Sequence, residues 1–426
     1  MEEKVAIVSS GYFPIPAVQG GAVESLIEQI INQNEQENKI ALTVYSCFNA
    51  EAEKISGAYQ NTKVKYIAIP GVVQSLDKAI YWFAKNILKK KKHMSYRYIA
   101  QRLYYIDRVS KDLKSESYDR VVVENHMTLF GTIKRNGNEI KYRGKYYYHA
   151  HNVITADYGY RAVCNNCKAI ISVSNYICNV MKKTYGPEAS EEKFRVLLNR
   201  VNEKRFKNVT DEDVRSWRNK LKLDDNDRTV VFTGRLNPEK GIKELMLAFN
   251  EAKIDNCKLI IVGSYYFQNG LKSEYEEELE KISERAKDRI IFTGFVDYKE
   301  MPTLYKVADV VALPSIWNEP AGLTIIEAIT AGKPLITTCS GGIPEYATPD
   351  VAEIVPYSEN FVGDLTAALR KVMGDELYRE RLARNAQKKS ALWTEKSYYY
   401  DFLNALLVSQ SSALMPLHSE TGYQSV

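Results

Sequence analysis

The sequence predicts an α/β protein built from two doubly wound domains. Three observations carry that expectation. Short β-branched apolar runs alternate with helical segments along the chain, two of those runs open into glycine-containing loops suited to phosphate, and 426 residues suffice for two separate cores. Parallel sheets covered by helices on both faces satisfy such an alternation.

In the first half the expected strands lie at 5–9, 41–46, 64–69, 120–124, 145–149, 169–174 and 195–198. In the second half they lie at 229–233, 258–262, 290–294, 310–313, 335–338 and 353–355. A linker is expected between 199 and 217, where charge is dense and Asp211-Glu212-Asp213 can cap a helix. The domains are therefore placed at 1–205 and 206–393, followed by 394–426, a last helical run and a loose polar end.

The most informative segment runs from Asn318 to Ala328. Glu319 and Glu327 flank a proline and glycine turn that opens into an apolar helical run, so a helix is expected to begin near Gly322. The amides of Gly322, Leu323 and Thr324 would then form an anion site at its N-terminus. The two carboxylates can accept hydrogen bonds from hydroxyl groups on either side of that anion. A diphosphate carrying two sugars fits. The plainer reading is a helix start with two solvated glutamates, but the strand 309–316 just upstream places the turn where open α/β sheets bind ligands.

A second phosphate element follows the strand 229–233. Gly234-Arg235-Leu236-Asn237-Pro238-Glu239-Lys240-Gly241 leads into a helical segment reaching about Ala252. Arg235 supplies a planar fork and Lys240 a compact charge, a pair suited to a departing diphosphate. Read structurally, Arg235 would pair with a carboxylate and Lys240 would sit solvated in the first helical turn. A cation there opposes the helix dipole by a few tenths of a kcal/mol, roughly, and an anionic ligand reverses that cost.

These motifs resemble the retaining nucleotide-sugar glycosyltransferases of family 4, whose GT-B fold sets two Rossmann-like domains face to face. The GRLxxEKG loop and the EPxGLxxxEA turn carry the resemblance, helped by Gly20-Gly21-Ala22-Val23-Glu24, Tyr148-His149-Ala150-His151-Asn152, Ser172-Val173-Ser174 and Gly294-Phe295-Val296. One departure is Asn199-Arg200-Val201-Asn202, where the family has Asn-Gly-Val-Asp between the domains. An arginine thus replaces a residue often chosen for positive φ.

The resemblance implies transfer of a sugar from a nucleotide-diphosphate sugar to a glycan or lipid-linked acceptor, with anomeric configuration retained. It gives catalytic roles to Glu319, Arg235, Lys240 and His151, and donor binding to Gly20, Gly21, Val296, Gly322, Leu323, Thr324 and Glu327. His126 and His149 fall on the acceptor side, and the last helix would cross back to the first domain. Residues 211–213 and 225–227 match Asp-x-Asp but lie in charged linker-like sequence, so no cofactor and no divalent metal is expected. A GT-B phosphorylase, a nucleotide-sugar epimerase and an idle binding module are the competing classes. The first would carry pyridoxal phosphate, the second would turn over donor without acceptor, and the third would consume nothing.

Charge divides with the fold. Residues 1–200 carry 29 Lys and Arg against 19 Asp and Glu, while the remainder is acidic, so the first half should face something acidic. The excess concentrates at 81–105, with seven basic residues, seven aromatic residues and no acid. Trp82, Phe83, Ile87 and Leu88 beside Lys89-Lys90-Lys91-Lys92 read either as an interfacial anchor on an anionic membrane or as a packed helix with a basic edge. No nucleic-acid-binding motif accompanies the charge. Six scattered cysteines suggest no disulfide framework, and the one C-x-x-C pair, Cys164 and Cys167, is short of the usual zinc pattern. Met1-Glu2-Glu3-Lys4 runs straight into a strand and no apolar run approaches the roughly 20 residues of a membrane span, so the expected location is cytoplasmic, with peripheral attachment to the inner membrane face.

Overall fold

The computed structural model describes residues 2–88, 97–186, 190–264, 273–286 and 288–407. The first domain contains β1 (Lys4–Val8), β2 (Ala41–Cys47), β3 (Thr62–Ile67), β4 (Arg120–Glu124), β5 (Tyr146–Ala150), β6 (Ala169–Ser172) and β7 (Phe194–Val196). They form one parallel sheet in the order β3-β2-β1-β4-β5-β6-β7. The second domain contains β8 (Arg228–Thr233), β9 (Cys257–Val262), β10 (Ile290–Gly294), β11 (Val310–Leu313), β12 (Leu335–Thr338) and β13 (Ala352–Val355). These also run parallel, in the order β10-β9-β8-β11-β12-β13.

Each expected strand is present, with ends displaced by at most two residues. Their centres are Val, Ile and Tyr buried on both faces, as parallel strands under helices must be. In each sheet the strand order reverses once, between β1 and β4 and between β8 and β11. Such a reversal opens a crevice at the carboxyl ends of the strands. Both crevices receive loops singled out from the sequence.

The helix Glu395–Leu407 returns to the first domain and packs on the helix Ala22–Glu37. Tyr398, Tyr399, Phe402 and Leu406 enter the core that contains Val5 and Ile7. Between the sheets, the Glu345 carboxylate accepts from the backbone amides of Asn175 at 2.6 Å and Tyr176 at 2.9 Å, the first two residues of the helix Asn175–Tyr185. A first-domain helix N-terminus is thus capped by a second-domain carboxylate.

Trp82 and Phe83 lie on the helix Gly71–Asn86 with Ile87 as its C-cap, a second helix spans Ile99–Ser115, and Lys89 to Lys92 lie outside the described residues. Three local expectations need correction. Lys240 ends a 3-10 turn, Pro238–Lys240, and Gly241 in the left-handed region separates it from the helix Ile242–Ala252. The helix cap near 211 is Thr210, whose side chain and that of Asp213 close a capping box. Arg200 keeps the negative φ usual for a residue with a Cβ, and its side chain donates to the carbonyls of Leu198 and Asn199, each at 3.1 Å, against the ring of Trp393.

Candidate active site

The second-domain crevice is built from two loops that meet. After β8 the chain passes Gly234 and an exposed Arg235, buries Leu236, and turns at Gly241. A Cβ at Gly241 would collide with the carbonyl oxygen of Pro314, so the residue must be glycine for both its φ of 68° and its closeness to the strand end. The backbone amide of Ile316 donates to the Glu239 carbonyl at 2.9 Å and Ser315 Oγ donates to the same carbonyl at 3.2 Å. The loop after β8 is thereby stitched to the loop after β11.

That stitching brings Lys240 onto Glu319. Lys240 Nζ is ion-paired with Glu319 Oε1, and Ser315 Oγ donates to the same oxygen at 3.0 Å. Glu319 is buried, and Lys240 is about a fifth exposed, its side chain at 21%. Gly341 presses against the backbone of Glu319 and Gly342 against the Pro320 carbonyl, and the Gly342 amide donates to the Glu319 carbonyl at 2.7 Å. Arg235 makes no side-chain hydrogen bond or ion pair among the described residues.

Gly322 has a φ of 61° and caps the helix Leu323–Thr330 without a side-chain hydrogen bond. The first intrahelical donor is the Ile325 amide, which leaves those of Gly322, Leu323 and Thr324 for a ligand. Glu327 lies deeper. Tyr305 Oη donates to Glu327 Oε2 at 2.8 Å, and burial raises the pKa of Glu327 against the hydrogen bonds from Tyr305 and Tyr298. Arg205 stacks on the Tyr298 ring, 4.0 Å from its centroid, and donates to its carbonyl. Val296, half-buried, follows β10 on the same side of the sheet.

In the first-domain crevice, Gly20 and Gly21 have φ of 77° and 109° and lead into the helix Ala22–Glu37. Ser10 Oγ, in the loop after β1, donates to Glu24 Oε1 at 2.7 Å. Next to it, His149 and His151 converge on Glu124 at the end of β4. His151 Nε2 is 2.9 Å from Glu124 Oε2, His149 Nδ1 is 3.1 Å from the same oxygen, and the two ring nitrogens are 3.2 Å apart. All three side chains are buried. Burial pulls His151 down to about 4. Burial alone would raise Glu124, but the neighbouring His149 and the hydrogen bonds from both rings hold it at about 2.

Among the described residues this is the group whose ligating atoms could hold a metal ion, all within 4.8 Å of one another. The carboxylate pairs with both rings without an ion, while His149 Nε2 is buried with no hydrogen-bond partner among the described residues. His126 stands apart from them: its Nδ1 is 2.8 Å from Thr128 Oγ1, its ring stacks on Tyr158 at 5.6 Å, and burial with the nearby Arg102 lowers it to about 4.

The structure therefore gathers Arg235, Lys240, Glu319, Gly322, Leu323, Thr324 and Glu327 around the second-domain crevice, and Gly20, Gly21, His126, His149 and His151 around the first. Glu124, Tyr298, Tyr305 and Ser315 belong to the same sites and were not singled out from the sequence. Glu124 alone carried a signal, as an acid at the end of a predicted strand two residues before His126. Cys164, Cys167 and Cys178 are buried thiols, and Asp225 lies in the turn before β8.

Residues 213–389 match the family model described as glycosyl transferases group 1. Spore coat protein SA of Bacillus subtilis (strain 168) is 24% identical over 407 residues, covering 91% of this chain and 94% of that protein. Lipopolysaccharide 1,2-N-acetylglucosaminetransferase of Salmonella typhimurium is 25% identical over 379 residues, 87% of this chain and 90% of that one. Among solved structures, Anabaena Alr3699/HepE in complex with UDP and glucose aligns with a TM-score of 0.69 at 19% identity, covering 95% of this chain and 99% of that one. WaaG, a glycosyltransferase involved in lipopolysaccharide biosynthesis, aligns with a TM-score of 0.64 at 18% identity over 95% and 100% of the two chains. The fold is GT-B, and the domain match supports a glycosyltransferase.

Proposed function

We propose that this chain is a retaining family 4 glycosyltransferase that moves a sugar from a nucleotide-diphosphate sugar to a glycan or lipid-linked acceptor in cell-surface polysaccharide assembly. One observation carries the reading: the loop with Arg235 and Lys240 and the turn with Glu319 and the free amides of 322–324 meet at the strand-order reversal of one domain. Cleaving the bond from the anomeric carbon to phosphate leaves negative charge on the diphosphate. Arg235, Lys240 and the helix amides lie where they would stabilise it.

Glu319 takes the sugar's remote hydroxyls once Lys240 turns to the phosphate. Glu327 takes the ribose, and the backbone at Val296 takes the base. His151, held by Glu124, and His126 line the opposite wall, beside the glycine pair at Gly20 and Gly21. Retention follows if the acceptor attacks from the leaving-group face and a phosphate oxygen receives its proton, with no protein nucleophile. Cationic side chains supply the neutralisation, so the reading needs no divalent metal. The N-terminal half meets the membrane through exposed Trp82, Phe83, Ile87 and Leu88. No described helix is long and apolar enough to span a bilayer.

The test is a thermal-shift panel of nucleotide sugars followed by turnover with a membrane extract as acceptor, with and without EDTA. Stabilisation by one nucleotide sugar and EDTA-resistant, acceptor-dependent product of unchanged anomeric configuration is the expected result. Donor consumption without acceptor would indicate an epimerase instead.

A further inference from the structure

Arg102 lies on the helix Ile99–Ser115 and is only 8% exposed. Its Nε donates to Thr128 Oγ1 at 3.0 Å, and Nη1 donates to the Ser10 carbonyl. Nη2 is buried with no hydrogen-bond partner, and no ion pair reaches the guanidinium among the described residues. Glu24, the acid in the first turn of the helix Ala22–Glu37, accepts from Ser10. A cation that stays protonated is thus buried against a carbonyl, a hydroxyl and aromatic rings without a countercharge. Such an arrangement is costly unless an anion completes it.

The cover over this charge is light. The Tyr12 ring lies 4.7 Å above the guanidinium and is about half exposed, and the exposed Tyr158 stacks on His126 beside it. Ser10, Thr128 and Tyr158 follow β1, β4 and β5, so the unmet donor sits at the carboxyl ends of the strands in the first-domain crevice. Ile99 and Leu103, on the same helical turn region, are exposed, and the helix Gly71–Asn86 with exposed Leu76 and Trp82 packs alongside. An anionic head and an apolar surface are therefore within one helix of each other.

We propose that Arg102 is the anchor for a phosphate group of the acceptor, reached by displacement of the Tyr12 ring. The guanidinium fork matches phosphate oxygens, which supply the charge the pocket lacks. This assignment rests on the transferase reading only for the word acceptor, since the phosphate site itself is a separate measurement. Farnesyl monophosphate and inorganic phosphate are titrated by calorimetry into protein already saturated with UDP and GDP, which occupy the second domain. Farnesyl monophosphate binds the wild type, Arg102→Gln weakens it about tenfold or more, and Arg102→Lys restores part of the affinity with greater salt sensitivity.

Tighter binding of the farnesyl compound than of phosphate supports a lipid-borne acceptor, and equal binding of both supports a soluble phosphorylated one. Nucleotide binding by each variant must match the wild type, which also reports that the fold survives. If Arg102→Gln does not fold, Arg102→Lys carries the comparison. Wild-type protein that binds neither probe, or an arginine variant that binds as wild type, overturns the site. Arg102-dependent phosphate binding in a protein that never consumes a nucleotide sugar overturns the transferase reading alone.

Discussion

Lys240 and Glu319 neutralise each other, so on the proposed reading each is held in place by the group it would leave when a nucleotide sugar binds. Arg235 has no such partner among the described residues and is exposed. Arg235→Ala should therefore leave stability within about 0.5 kcal/mol of wild type while transfer falls on the order of 100- to 1,000-fold, as for loss of one donor to developing charge. Lys240→Ala should lose transfer comparably and also destabilise, because it strands a buried carboxylate with only Ser315. Steady-state kinetics beside urea melts separate the two; near-normal turnover in both variants would remove the phosphate assignment. Glu327→Ala should raise KM for the donor and cost about 1 kcal/mol of stability, since the buried Tyr305 hydroxyl loses the carboxylate but keeps Thr233 Oγ1 at 2.7 Å and the Thr324 carbonyl at 3.2 Å. Glu319→Ala should cut kcat more than KM. The Arg235, Lys240 and Glu319 trio was legible because each sits in a short motif with its own spacing. The Tyr305 to Glu327 bond was not, because nothing local marks two residues 22 positions apart as partners.

At the scale of elements, strands were legible because their β-branched centres are buried on both faces, and their ends were less so because the ladder stops where a neighbour stops. In the run at 81–105 the helix carrying Trp82 and Phe83 was legible from its apolar residues, but its end at Asn86 was not, because the cations and aromatics continue past it in sequence. Its exposed apolar face is the basis for a vesicle experiment. Trp82→Ser with Phe83→Ser should release the protein from anionic vesicles at low salt and leave its melting temperature nearly unchanged, since neither ring is buried. Wild-type protein that ignores such vesicles would end the membrane reading. A second test concerns the loops that follow β4 and β5. His126 and His151 are held at about 4, below the roughly 6.5 of an unfolded histidine, so the unfolded chain binds more protons between those values. Stability should be complete above pH 6.5 and fall as pH drops toward 4, by up to about 1.4 kcal/mol per pH unit per ring. Glu124, held at about 2, adds a further loss below its unfolded value near 4.5. Urea melts from pH 7 to 4 check the sign, and a stability that rises on acidification would contradict the burial of both rings.

Across the whole molecule, the two domains were legible from the alternation of strands and helices and from the break in charge near residue 200. The way they are joined was not, because it depends on a few contacts between distant loops. Tyr346 of the second domain donates to the Val173 carbonyl at 2.6 Å and accepts from the Asn199 amide at 2.9 Å, which ties the first domain and the start of the linker to one second-domain hydroxyl. Arg200 stacks between this point and Trp393, whose ring also packs edge-on against Tyr346. Removing the hydroxyl with Tyr346→Phe keeps the ring packing and leaves one buried donor and one buried acceptor unpaired, a loss of about 1–3 kcal/mol for each group that stays dry. The two crevices belong to different domains, so transfer requires that they face each other at a fixed separation. Tyr346→Phe should therefore lower transfer while donor binding, which on the proposed reading rests mainly on the second domain, stays close to wild type. Calorimetry with the donor and turnover at saturating donor measure the two quantities. If turnover is unchanged, the hinge contacts are packing only; if donor affinity falls in step with turnover, the donor site extends across the cleft into the first domain.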